Sequence, residues 1–440
     1  MPTEKEGKMR NYFGTDGIRG VAGEELTART AFALGNALCR LKSRPLVVLG
    51  RDTRTSSDML SLALEAGVCA GGGCVRDGGV LPTAAVAFFV RRTGADFGVV
   101  VSASHNPPEF NGLKVFDFRG CKLSEEEEEY AERFFDEYSF ASALRCGRCY
   151  PLARRGAYAD FLVSCCERPL AGKKFVLDCA NGAAGEIAPR VFARLGAEVF
   201  VIGRSRSGRK VNMGCGALHP EKMCEAVVER GADAGFCYDG DADRLIAADE
   251  RGNIVDGDKM LCILAKDLQA KGRLPHSLAV GTAHTNTGAE RELQRCGISL
   301  YRTDVGDKYV AEYMRRSGAA VGGEQSGHII LAEYATTGDG ILTSLKAAQL
   351  LAGGARFSEL ADIRLFPQYN LSVRVKDKVR VLGNEEVRSA IEKAGHGVFR
   401  LVVRASGTEP VVRIFAEAED LSAARDAAER VRDAILRSEE

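Results

Sequence analysis

The chain has 440 residues, 45% hydrophobic and 27% charged, with 60 basic and 60 acidic side chains and no net charge. That balance excludes the basic excess a nucleic-acid or membrane-surface partner requires, so any affinity for phosphate has to come from local groups. At ~150 residues per domain several domains are expected, and no run of ~18 apolar residues is present to span a membrane.

The N-terminal segment MPTEKEGKMR lacks the apolar stretch of a signal peptide. The 14 cysteines are scattered through apolar segments, as expected of buried thiols in a reducing cytoplasm. Cys146 and Cys149 form a lone CxxC, followed by Cys165-Cys166. Incidental thiols is the favoured reading, with a zinc or redox site left open.

Along the chain one unit recurs: an apolar run, a polar glycine-containing loop, a helical stretch, then glycine and a second apolar run. The copies are PLVVLG–RDTRTSS with a helix to about Ala66, FVLD–CANGAAG with a helix to Leu195, and LAVGT–AHTNTG with a helix to Arg295. Such strand–helix–strand units build mixed sheets with crossover helices. The fold class is therefore α/β. Three similar α/β domains with mixed sheets are expected over 1–155, 156–255 and 256–366, and a smaller C-terminal α+β domain over 367–440. The last part reads as PQYNLSVRV, then a strand pair FRLVVRAS and PVVRIFAEAE, then a helix. The apolar stripe of that helix is Leu421, Ala424, Ala428, Val431 and Ile435.

Four loops carry chemistry. In FGVVVSASHNPPEF an apolar strand runs into Ser104 and His105, and Asn106-Pro107-Pro108 enforces a turn. Ser104 is expected to be exposed at the strand's carboxyl end, where α/β sites gather; a plain Ser/Asn turn stays open. A nucleophile elbow, G-x-S-x-G, is absent. In DGDADR, Asp239, Asp241 and Asp243 place three carboxylates at alternate positions, a crowding that calls for a hard cation, Mg²⁺ or Ca²⁺. On a straight strand the outer two Cα atoms would be ~13 Å apart, so one ion requires a curled loop, which Gly240 permits. The EF-hand pattern fails, because Arg244 stands where its glycine belongs. Arg404, Ser406, Gly407 and Thr408, with Arg413 on the next strand, suit a phosphate dianion. GGEQSGH presents Glu324, Ser326 and His328 on a glycine-flanked loop suited to hydroxyl-rich ligands. Asp339 in TTGDG is placed to cap the following helix, and Ser124 to cap the one that opens with EEEEE. No Walker loop and no G-x-G-x-x-G occurs, which favours phosphoryl transfer within a bound sugar phosphate over a nucleotide-dependent reaction.

With these motifs in order (NYFGTDGIRG, SASHNP, DGDADR, GGEQSGH, RASGTEP) the chain resembles the α-D-phosphohexomutase superfamily over essentially its whole length. GTDGIRG, GEQSGHII and TTGDG are most like its glucosamine-phosphate branch; glucose- and mannose-phosphate mutases are the alternative, and a non-catalytic sugar-phosphate sensor a more remote one. The resemblance implies four domains around a central cleft. It implies a phosphoserine at Ser104 and one Mg²⁺ per chain on Asp239, Asp241 and Asp243 with Ser104. Glu324 and Ser326 would bind sugar, and Arg404, Ser406, Gly407, Thr408 and Arg413 would clamp the distal phosphate. Arg19, Lys114, His105 and Arg244 would line the reacting phosphate, with Lys114 or His328 as base. A glucosamine or glucose 1,6-bisphosphate primer and a phosphosugar substrate follow. The protein would be a cytoplasmic monomer or homodimer without nucleic-acid or membrane partners. Ala242 where glycine is frequent, the PPEFNGLKVF segment and the polar HTNTG stretch depart from the pattern.

Overall fold

The computed structural model describes residues 12–14, 16–135, 141, 143–205, 207–406 and 410–439. Four sheets follow one another along the chain, of seven, five, four and three strands. The first three are mixed. In each, a central strand (Leu46–Arg51, Lys174–Asp178, Leu278–Thr282) has parallel neighbours on both sides, reached through helices. The last of these neighbours then turns into an antiparallel strand, giving the pairs Phe97–Val101 with Phe110–Phe116, Ala234–Tyr238 with Leu245–Ala248, and Val321–Gly323 with Ile329–Leu331. The fourth sheet is wholly antiparallel: Val411–Glu417 lies between Gln368–Arg374 and Arg400–Ala405, backed by Leu421–Glu439.

The repeat is deeper than the sequence reading found. The helices Thr83–Thr93, Glu221–Arg230 and Asp307–Ser317 each end at a left-handed glycine, Gly94, Gly231 and Gly318. Each glycine opens a pentapeptide of the pattern G-A-x-x-G: GADFG, GADAG or GAAVG. The fifth residue lies in the next strand directly under the helix. A Cβ there would fall 2.6 Å from Val90 at Gly98, 2.0 Å from Met223 at Gly235 and 2.5 Å from Met314 at Gly322. Bare backbone at that point lets each helix lie close on its strand and fixes where the strand's carboxyl end emerges.

The capping expectations are met. Ser124 and Glu127 form a reciprocal capping box before Glu125–Glu132, and Asp339 accepts from Leu342 N–H at the start of Gly340–Ala352. The first repeat helix runs past Ala66 to Ala70. In the last helix Ala424, Ala428, Val431 and Ile435 are buried, but Leu421, at its first position, is 54% exposed. One apolar core runs through the first three sheets, from Val48 and Phe89 through Phe175 and Phe236 to Leu345. The fourth sheet has its own, around Val373, Val387, Ile414 and Val431. Cys146 and Cys149 are exposed, and all 14 cysteines are free thiols. Among the described residues no helix is long and apolar enough to cross a membrane.

Candidate active site

The three turns between last parallel strand and antiparallel partner carry Ser104, the three aspartates, and Glu324 to His328. The repeated topology thus delivers a different functional loop from each sheet to one place, at strand carboxyl ends.

The Ser104 loop is shaped from beneath by a buried arginine. Arg54 donates through Nε to Asp52 Oδ2 at 2.8 Å and through its terminal nitrogens to the carbonyls of Ser104 at 2.9 Å, Asn106 at 2.7 Å, Phe110 at 2.9 Å and Pro107. Asn212, from the second sheet's loops, donates to the same Ser104 and Asn106 carbonyls at 2.8 and 3.0 Å. Ser102 hydroxyl donates to Asp52 at 2.7 Å and accepts from Ser104 N–H at 2.9 Å. So held, Ser104 adopts φ of 55°, the left-handed region.

Ser104 follows the carboxyl end of its strand as expected, but it is not exposed. Its solvent exposure is 0%, because the Asp239–Gly240 turn of the second sheet lies over it. Its Oγ donates to Asp239 Oδ2 at 2.6 Å.

Asp239, Asp241 and Asp243 are buried and offer one oxygen each within 4.8 Å of one another, the curled geometry a single cation requires. Ala242 accommodates the curl at φ of 57°. Burial, with Asp243 and Asp241 alongside, pushes the Asp239 carboxyl well above the usual carboxylate range. Oδ1 of Asp241 and Oδ1 of Asp243 are buried without a hydrogen-bond partner. Three crowded carboxylates, two with an unsatisfied oxygen, fit a hard divalent cation.

Lys114 Nζ lies 2.9 Å from Asp241, 2.8 Å from Asp243 and 3.3 Å from Asp16. Burial opposes its charge, but these carboxylates outweigh burial and hold it well above its ordinary value, as an ammonium. Thr83, from the first sheet's domain, donates to Asp241 Oδ2 at 2.6 Å. Arg19 reaches Asn106 at 3.3 Å and pairs with Asp16. His105 Nδ1 stands 3.4 Å from Ser104 Oγ. Burial, then Arg244 and Arg19, push its pKa down to about 3, so the ring is neutral.

The sugar-type loop is locked to the aspartate loop. Leu245 N–H donates to Gly327 O at 3.0 Å, and a Cβ at Gly327 would collide with Leu245 O at 2.1 Å. Glu324 is raised by burial and by Asp307, and Ser326 Oγ is buried without a partner. His328 accepts from Gly338 N–H at 2.9 Å through Nε2, which puts the ring's proton on Nδ1, 3.7 Å from Asp243. Burial disfavours the charged ring and Asp307 and Asp243 favour it on balance; the Gly338 N–H directed at Nε2 decides for the neutral ring.

Arg404 and Arg413 face each other across the fourth sheet, with Ser406 beyond them. Burial and Arg413 lower Arg404 from its ordinary value. Gly407 and Thr408 lie outside the described residues. Two groups thus emerge: Ser104, His105, Arg19, Lys114, the aspartates, Arg244 and the Glu324–His328 loop at the junction of three sheets, and the arginine pair on the fourth. Gln325 ties the Glu324–His328 loop to the fourth sheet, donating to Gln368 at 3.0 Å. A cavity of about 400 Å³ lies beside the first group and not over Ser104, lined by Lys122, Asp307, Lys308, Tyr309, Arg315 and His328 among others. Asp16, Lys122, Asp307, Asp52, Arg54, Thr83 and Asn212 escaped sequence reasoning. RDTRTSS was visible as a loop, but nothing in it announced an arginine turned inward.

Family models for phosphoglucomutase/phosphomannomutase match in order, with α/β/α domain I over 10–142, domain II over 157–252, domain III over 256–367 and the C-terminal domain over 371–434. The chain belongs to this family, the α-D-phosphohexomutases. Relatives named phosphoglucosamine mutase include one from Caldanaerobacter subterraneus, 44% identical over 98% of this chain and 99% of its own length, and one from Desulforamulus reducens, 45% identical over 94% and 96%. Among solved structures, a phosphoglucomutase/phosphomannomutase family protein from Burkholderia thailandensis superposes with a TM-score of 0.83 at 26% identity, covering 97% of both chains. An N-acetylphosphoglucosamine mutase from Aspergillus fumigatus, solved with GlcNAc-6P and magnesium, shares the fold with a TM-score of 0.70 at 19% identity, covering 100% of this chain and 97% of that one. The phosphohexomutase fold, three α/β units and a C-terminal α+β unit, is the one seen here.

Proposed function

We propose that this phosphohexomutase interconverts glucosamine 6-phosphate and glucosamine 1-phosphate through a phosphoserine at Ser104 and a 1,6-bisphosphate intermediate. The observation that carries the reading is the 44% identity to phosphoglucosamine mutases over 98% of the chain, against 26% to the phosphoglucomutase/phosphomannomutase family structure. Such an activity would supply precursors of UDP-N-acetylglucosamine and the cell wall from the cytoplasm.

In the forward half-reaction the bond between phosphorus and Ser104 Oγ breaks and one to the sugar's free hydroxyl forms. After the bisphosphate turns over, the other phosphoryl group returns to Ser104. Asp239, Asp241 and Asp243, with Ser104, would hold one Mg²⁺, which when bound neutralises charge on the transferring group. Arg54 and Asn212 fix the Ser104 backbone so that Oγ meets either end of the sugar in one geometry. Lys114, an ammonium, contributes charge; His328 is the proposed exchanger of the hydroxyl proton once its Nε2 is released from Gly338 N–H. Glu324 and Ser326 would orient the ring hydroxyls. Arg404, Ser406, Gly407, Thr408 and Arg413 would hold the phosphate that is not reacting, and the fourth domain would close to exclude water.

A coupled turnover assay primed with glucose or glucosamine 1,6-bisphosphate, run on glucosamine, glucose and mannose phosphates in parallel, tests the reading. The highest kcat/KM is expected on glucosamine phosphate. Higher kcat/KM on glucose or mannose phosphate would move the assignment to the sister activity. Intact mass before and after phosphatase should differ by one phosphate, mapped to Ser104.

A further inference from the structure

The site contains a circuit of buried polar groups, three of which, Asp16, Lys122 and Asp307, the proposed reaction does not use. Lys114 Nζ is 3.3 Å from Asp16 Oδ2, and Asp16 Oδ1 is 2.5 Å from Lys122 Nζ. Lys122 Nζ is 2.5 Å from Asp307 Oδ2, and Asp307 Oδ2 lies 3.4 Å from Nε2 of the neutral His328 ring, a close approach and not an ion pair. His328 Nδ1 is 3.7 Å from Asp243 Oδ2, and Asp243 Oδ2 is 2.8 Å from Lys114. Three sheets contribute: Asp16, Lys114 and Lys122 come from the first domain, Asp243 from the second, Asp307 and His328 from the third. Side-chain exposures of 12% for Lys122 and 10% for Asp307 mean that each charge is tolerated only because its partner is in place.

The segment carrying Asp307 gives the circuit its consequence. Asp307 opens the helix Asp307–Ser317, whose Val310 and Met314 press on bare Gly322 in the strand that delivers the Glu324–His328 loop. Helix and loop are therefore packed against each other with no gap. The next residue, Lys308, makes a second tie of opposite polarity to the first domain, 2.8 Å from Glu128.

We propose that Lys122 and Asp307 are positioning residues that hold the sugar-orienting loop at a fixed distance from the Ser104 centre. This inference rests on the mutase reading. A bisphosphate that must present either end to the same serine needs that distance held, and a misplacement of ~1 Å can cost ~10²-fold in rate. Neither side chain is required to touch substrate, so the loss falls on kcat.

The test compares wild type, Lys122→Met, Lys122→Arg, Asp307→Asn and the Met/Asn double variant. Active sites are counted by phosphoserine stoichiometry after bisphosphate priming. Lys122→Met is expected to phosphorylate fully, to lose ~10–100-fold in kcat per phosphorylated site, and to keep KM within ~3-fold. Lys122→Arg should recover most of the loss, since it keeps the cation between two carboxylates. The double variant should be no worse than the worse single, because both break one link. A kcat per phosphorylated site within twofold of wild type, a loss confined to melting temperature, or single losses that multiply would each overturn the proposal. If Lys122→Met does not accumulate folded, Asp307→Asn and Lys122→Arg read the same quantity. Wild-type turnover on the three sugar phosphates is measured first. Absence of all turnover there refutes the mutase reading, whereas turnover on another sugar leaves the comparison intact on that sugar.

Discussion

Replacing Arg54 by methionine removes the guanidinium under the Ser104 loop while keeping most of its bulk. Arg54 is 2% exposed, and the substitution leaves Asp52, 1% exposed, as a buried charge without its cation. Breaking such a pair costs ~3–5 kcal/mol. The carbonyls of Ser104 and Asn106 keep Asn212 as donor and that of Pro107 keeps Phe110 N–H, but that of Phe110 loses Arg54, at ~1–3 kcal/mol for an acceptor left unsatisfied. A loss of at least ~4 kcal/mol is a large share of the ~5–15 kcal/mol a domain has. At ~2–4 °C per kcal/mol it lowers the first thermal transition by ~10 °C or more. Arg54→Lys restores the charge opposite Asp52 but not the fork that reaches several carbonyls at once. It should melt between the two and still lose at least ~10-fold in kcat, because the backbone carrying Ser104 is released. Thermal melts and coupled turnover on the folded fraction make the comparison. Wild-type kcat in Arg54→Lys, or in folded Arg54→Met, would show that the loop keeps its shape without the guanidinium.

Further outcomes are expected. Ser104→Ala should abolish turnover and phosphate incorporation. Its effect on melting should stay within ~1.5 kcal/mol, about one hydrogen bond, that to Asp239. Asp241→Asn, or chelation of wild type, should remove turnover that Mg²⁺ restores fully only in wild type; unchanged metal dependence in Asp241→Asn would count against the aspartate loop. Arg413→Ala should lower kcat/KM by roughly one to two orders of magnitude through loss of a ~1.5–3 kcal/mol charge-assisted contact; equal weakening toward sugar with and without phosphate would make Arg413 structural. His284, stacked on Phe415 at 4.5 Å, is lowered from 6.5 to about 4 by burial, then Arg404, Arg400 and Arg413. The unfolded chain therefore protonates first, and stability present above pH ~6.5 declines as pH falls toward ~4. His284→Gln should flatten that decline in melting temperature.

How much of this was legible is clearest at Ser104 and Arg54. The motif around Ser104 gave its place after an apolar strand, yet its exposure was misjudged. Local sequence cannot show that Asp239, 135 positions away, folds over it. Arg54 lies in a segment rich in turn residues and reads as surface; only the convergence of four carbonyls from 104–110 explains its burial. The alternate spacing of Asp239, Asp241 and Asp243 could be read because crowded carboxylates carry their own physical cost. Lys122 and Asp307 could not, since their partners come from different domains. The GADFG, GADAG and GAAVG pentapeptides were readable in principle. Each places its functional turn a few residues downstream, because the left-handed glycine ends the helix and the bare fifth residue starts the strand that carries the turn.

The distribution of apolar and polar contacts assigns the domains different mechanical parts. Sheets one to three share a continuous core, and their functional loops are tied by backbone hydrogen bonds, Thr83 to Asp241, Leu245 to Gly327 and Gly340 to Ala242. A centre built that way is rigid, which suits transfer to one serine from either end of a sugar. The fourth sheet meets the third through polar groups and one ring stack, His284 on Phe415: Thr287 N–H donates to Glu417 at 2.9 Å, Gln368 to the His284 carbonyl at 3.2 Å and Arg400 to the Thr285 carbonyl at 3.0 Å. Exchanging these for water costs far less than parting an apolar interface, since a hydrogen bond contributes ~0.5–1.5 kcal/mol net. A reaction in which the bisphosphate must be released from one orientation and held again in the other needs one fixed wall and one that yields. The polar HTNTG loop, which set this chain apart at the sequence level, lies at that joint, where His284 and Thr285 offer their carbonyls to Gln368 and Arg400.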